Sequence, residues 1–77
     1  MNNTRREKLR GAVRKLSDVQ AIVQSVCDQE EDCVDNYPEN LQSTEKFERM
    51  EDAVENLNEA LEKIDDAKDR IQAAIDK

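Results

Sequence analysis

Residues 47–75 read FERMEDAVENLNEALEKIDDAKDRIQAAI, and the spacing of the apolar residues in this stretch decides the fold. Phe47, Met50, Val54, Leu57, Leu61, Ile64, Lys68, Ile71 and Ile75 follow one another in alternating steps of three and four, and only Lys68 is polar. An α-helix turns about 100° per residue, so this spacing gathers the side chains into one stripe along the axis. Beside the stripe runs a column of alanine: Ala53, Ala60, Ala67 and Ala74. Side chains this small, repeated at every heptad, let another helix approach closely, so the column is expected to be an interface. The predicted helix covers about residues 44–76 and would be about 50 Å long at 1.5 Å per residue.

Upstream, Asp35-Asn36-Tyr37-Pro38-Glu39-Asn40-Leu41-Gln42 interrupts the pattern. Pro38 has no amide hydrogen and forces Tyr37 out of helical geometry. Asn36 suits a left-handed cap on the helix before it. Ser43 or Thr44 can cap the helix after it, with Glu45 favoured by the dipole of the first turn. A turn over about residues 36–43 is predicted.

Before the turn, three heptad columns define a first helix over about residues 4–35. They read Leu9, Leu16, Val23, Glu30, Tyr37; Ala12, Val19, Val26, Cys33; and Val13, Gln20, Cys27, Val34. Together they make an apolar face broad enough for more than one neighbour. Thr4 with Glu7 three residues later has the form of a capping box. Gly11 falls on the outer face and weakens the first turns by roughly 1 kcal/mol relative to Ala.

Two such helices joined by a short turn must run antiparallel, which predicts one all-α domain over residues 1–77: a coiled-coil-like helical hairpin. Each apolar face is wider than a two-helix seam, so a homodimer forming a four-helix bundle is expected, with a larger homo-oligomer as the variant. The residues expected in the self-association interface are Leu16, Val23, Phe47, Ala53, Val54, Leu57, Ala60, Leu61, Ile64, Ala67 and Ile71.

Composition narrows the chemistry. The 77 residues include no His, no Trp, one Gly and one Pro. Without imidazole there is no His base and no His-ligated metal. One glycine excludes a Gly-rich phosphate loop. Cys27 and Cys33 would lie about 9 Å apart along one helix, too far for a bridge, and are expected as reduced core residues. No run approaches the roughly 18 apolar residues of a membrane span, and the basic start is followed by no apolar signal core. A cytoplasmic, non-enzymatic protein with no metal or cofactor is the expectation.

The charge is segregated. Residues 1–15 hold six bases and one acid, whereas residues 16–77 hold six bases and 18 acids, for a net charge of −7. The basic start would lie beside Asp65, Asp66, Asp69 and Asp76 in a hairpin, so charge is expected to guide pairing and register. Arg5, Arg6, Arg10, Arg14 and Lys15 are also a candidate anion or nucleotide site, since arginines near a helix start can hold phosphate. Direct nucleic-acid binding is disfavoured by the scarcity of stacking aromatics. The acidic stripe through Glu55, Glu59 and Glu62 gives a further alternative, imitation of a nucleic-acid backbone. Glu45–Arg49, Glu59–Lys63 and Asp66–Arg70, however, have the i,i+4 order of a solvated helix. Asp28, Glu30, Asp32 and Glu39 match positions 1, 3, 5 and 12 of a calcium loop, but Cys33 stands where glycine is needed.

The Asp35–Gln42 turn, the acidic end before it and the Glu/Ala-rich helix after it resemble small helical-hairpin proteins of Firmicutes and their phages. Those proteins carry an Asp-Asn-Leu-Pro-Glu-Ser-Leu-Gln-like turn; here Tyr37 stands for the leucine and Asn40 for the serine. The likeness covers residues 16–75. It implies a phage or mobile-element context and a host protein as partner, one involved in defence for instance, and it supplies no site residues.

Overall fold

Helix α1 spans Asn3–Asp35 and α2 spans Glu45–Ile75, with a 3-10 turn at Glu39–Leu41 between them; the computed structural model describes residues 1–77. The helices fold back on each other as an antiparallel hairpin, a rod of 59 × 15 × 13 Å. Its radius of gyration is 17.5 Å, against roughly 11–12 Å for a compact domain of this length.

The helix ends follow local chemistry. α1 starts before the expected capping box. Asn2 is extended and its Oδ1 accepts the Arg5 N–H at 2.9 Å, leaving Thr4 inside the first turn. Asn is among the best residues for that role, which explains why it wins over Thr4. Asn36 does not enter the left-handed region expected of it; φ is −100°. Its Nδ2 instead donates to the Asp32 carbonyl at 2.8 Å, so the side chain closes the helix end without positive φ. Pro38 is extended and donates no bond, and the chain re-coils once before α2. Thr44, one of the two caps expected, accepts the Phe47 N–H at 3.4 Å and donates to the Leu41 carbonyl at 2.6 Å. A side-chain cap of this kind contributes about 1 kcal/mol.

The seam is built from two columns of each helix. α1 contributes Leu9, Leu16 and Val23 with Val13, Cys27 and Val34, Tyr37 follows from the turn, and α2 contributes the whole three-four stripe. Only Cys27, Phe47 and Ile75 are buried, and the other seam residues are half-buried. Tyr37 closes the turn end against Phe47, with ring centroids 5.2 Å apart and tilted by 34°. Leu41, in the turn beyond it, is exposed.

Register is set by polar side chains near the seam rather than by ion pairs. Lys68 Nζ donates to Gln20 Oε1 at 2.9 Å, and Gln20 Nε2 donates to Asp65 at 3.3 Å. Asn58 Nδ2 donates to Glu31 at 3.2 Å, while the Cys27 thiol lies 3.5 Å from Asn58 Oδ1. These pairs mirror the helices about residues 42–44, at the C-terminal end of the turn. Lys68 therefore lies level with Gln20. The expected ion pairing of the basic start with α2 does not form. The two ion pairs, Glu7–Arg10 and Glu45–Arg49, each lie within one helix. Arg6 instead donates to the carbonyls of Ile75 and Lys77 at 3.1 and 3.4 Å, satisfying part of the α2 C-terminus.

Candidate self-association face

The two sides of the hairpin differ in chemistry. Along each helix the seam residues fall at heptad positions a and d, and positions e and g flank them. The contact of Glu31 with Asn58 joins the e columns of the two helices on one side, and Gln20, in the seam, reaches Asp65 on that same side. That side is polar: Ser17, Gln24 and Glu31 face Glu51, Asn58, Asp65 and Gln72. The g columns must then share the opposite side. They are Ala12, Val19, Val26 and Cys33 on α1, and Ala53, Ala60, Ala67 and Ala74 on α2. One flank of the rod is thus apolar along most of its length, from Ala12 to Cys33 and from Ala53 to Ala74, with Arg5 and Lys46 ending the two columns.

At the middle of that flank the apolar side chains stand in the open. Val19 is 45% exposed, Val26 44% and Ile22, one turn between them on the outer edge, 66%. A β-branched trio at i, i+3 and i+7 on one helix face costs solvation free energy unless something covers it. Ile22 was not expected in the interface, because it lies outside the three heptad columns of the first helix. Its spacing from Val19 and Val26 was the signal available in the sequence.

The expected interface residues divide between seam and flank. Phe47 is buried, and Leu16, Val23, Val54, Leu57, Leu61, Ile64 and Ile71 are half-buried in the seam between the two helices of one chain. Ala60 and Ala67 are half-buried on the flank, and Ala53 is exposed there. Cys33, expected in the core, is exposed on the same flank, whereas Cys27 is buried.

The five basic residues of the candidate anion site do not gather. Arg5, Arg6, Arg10, Arg14 and Lys15 occupy five different heptad positions and radiate around α1. Arg6 is engaged with the α2 C-terminus and Arg10 with Glu7. Arg5 and Lys8, with Met1 and Leu9, line a shallow open hollow at this end of the rod. The calcium-like spacing falls largely on continuous α1, which sends Asp28, Glu30 and Asp32 in different directions. No group of three or more His, Cys, Asp or Glu side chains is placed to hold a metal ion.

Burial pushes the Cys27 thiol above its ordinary value of 9.0, and the negative charges of Glu31 and Asp28 push it the same way. The folded state therefore holds this proton more firmly than the unfolded chain. Its stabilising effect is intact below pH about 9 and is lost as pH rises through the folded value. Melting temperature is expected to hold steady from pH 7 to 8 and to fall above 9, with a shallower fall in Cys27→Ala. In native protein a thiol reagent is expected to modify Cys33 first and Cys27 only on unfolding. Equal rates at the two thiols would contradict the buried placement.

Comparison with known protein families, curated proteins and solved structures finds no match to this chain. No helix is long and apolar enough to cross a membrane.

Proposed function

We propose that this protein is a non-enzymatic, self-associating interaction module whose hairpins pair into a four-helix bundle and present their acidic outer faces to another protein. The observation that carries this reading is the exposed Val19–Ile22–Val26 trio on a flank whose neighbouring residues are alanines and Cys33. The surface area supports it. The chain exposes 5832 Å², whereas a compact monomer of its mass exposes about 4,800 Å². The excess of roughly 1,000 Å² is comparable to the 800 Å² or so that one partner contributes to a standard interface.

The outer face of α2, through Asp52, Glu55, Glu59, Glu62, Asp66 and Asp69, remains free when the flank is covered. That stripe carries little aromatic or aliphatic surface, so its partner would be recognised through basic residues. In the phage or mobile-element setting that the resemblance implies, the partner would be a host protein. Sedimentation from 1 to 200 µM tests the core of the reading. A concentration-dependent shift from monomer toward dimer is expected. A folded monomer across the whole range would remove self-association.

A further inference from the structure

We infer that the second copy packs end over end on this flank, α1 against the partner's α1, with the two-fold axis beside Ile22. The inference rests on the self-association reading and fixes the orientation that reading leaves open. Two hairpins stacked flank to flank can share a two-fold axis along the rod or across it. An axis along the rod puts both turns at one end and sets α1 on the partner's α2. An axis across it puts the turns at opposite ends and sets each helix on its own counterpart.

Charge separates the two. The open half of the rod, residues 1–21 and 64–77, holds nine bases and six acids, and the turn half, residues 22–63, holds three bases and 13 acids. These halves carry +3 and −10. Turns at one end would bring −10 against −10 at close range. Turns at opposite ends bring each −10 half against a +3 half. The basic start is available for this role because no cross-helix ion pair within the hairpin uses it.

Shape agrees with charge. The α1 flank column is centred between Val19 and Val26, and the α2 alanine column between Ala60 and Ala67. The contacts of Gln20 with Asp65 and of Cys27 with Asn58 set these two centres at one level of the rod. A single axis across the rod at that level therefore makes both columns self-complementary. Val19 meets the partner's Val26, Ala12 meets the partner's Cys33, and the alanines interlock with alanines. The exposed Ile22 then sits beside its own counterpart, where the apolar patch is densest.

The native Cys33 tests the geometry. In Ala12→Cys the two thiols lie 21 residues apart on one helix, about 32 Å, so they can join only between chains. Mild oxidation of this variant, and separately of Ile22→Cys, is expected to give disulfide-linked dimers on non-reducing gels for at least half of the protein. Ala53→Cys, which lies level with Cys33, is expected to give no link between chains. Sedimentation and circular dichroism of the same samples separate the outcomes. A folded dimer that links through Ala53→Cys, or through neither Ala12→Cys nor Ile22→Cys, overturns the orientation and leaves self-association standing. A folded monomer that links in no variant overturns both.

Discussion

Phe47→Ala is expected to leave the protein largely unfolded at 37 °C. Phe47 is one of three buried residues, and it stacks on Tyr37 where the turn joins the two helices. Removing a buried phenyl ring costs about 3–5 kcal/mol, from lost burial and from the cavity left behind. A single small hydrophobic core rarely supplies more than 3–5 kcal/mol in total, so the loss is comparable to the whole stability. The position also matters. The ring anchors the first turn of α2 beside Thr44, whose hydroxyl accepts the Phe47 backbone amide; Ala keeps that amide, so the loss is that of the ring's packing. Helical signal at 222 nm should drop severalfold at 37 °C, whereas Phe47→Leu, which keeps most of the apolar volume, should retain it. A Phe47→Ala melting temperature within a few degrees of the parent would show that the turn end is not the keystone of the hairpin.

Ile22→Asp is expected to abolish self-association while leaving the hairpin folded. Ile22 is 66% exposed in the single chain and takes no part in the α1–α2 seam, so a carboxylate there is solvated in the monomer. In the paired state, two carboxylates would approach each other in an apolar patch. Lost burial and the desolvation of two like charges together exceed about 3 kcal/mol, which weakens dimerisation more than a hundredfold. The dimer fraction at 100 µM should fall below detection by sedimentation, with an unchanged far-ultraviolet spectrum at low temperature. The melting temperature should become independent of protein concentration, since association no longer adds to stability. The same substitution at Gln24, on the polar flank, should alter none of these. Unchanged dimerisation in Ile22→Asp would move the interface away from the Val19–Ile22–Val26 patch.

The two predictions separate what holds one hairpin together from what joins two. Phe47 belongs to the a/d seam, and Ile22 lies a helix face away from it. Most of the residues expected to join subunits, Leu57, Leu61 and Ile64 among them, half-bury in the seam of one chain. Periodicity shows that a face is apolar, but it does not show which neighbour covers it. That assignment needed the direction in which e and g columns point after the chain folds back. The contacts of Asn58 and Gln20 gave it.

The basic segment follows the same pattern. Six bases among residues 1–15 are plain in the sequence, and so is their spread around a helix, but that Arg6 caps the end of α2 is legible only once the chain has folded back. The exposure of Cys33 against the burial of Cys27 follows equally from where each lies, Cys33 on the flank and Cys27 in the seam.

The sequence by itself determined two long helices, their antiparallel course and the break between them. Each of those rests on interactions within a few residues: apolar spacing at 3.6 per turn, Pro38 without an amide hydrogen, Thr44 with an oxygen for the next turn. The tertiary structure alone decided the level at which the helices meet and which side of the rod stays apolar. A shift of the fold-back point by a few residues carries every cross-helix partner along with it, and only contacts between residues far apart in the chain, Gln20 with Lys68 and Cys27 with Asn58, hold it in place.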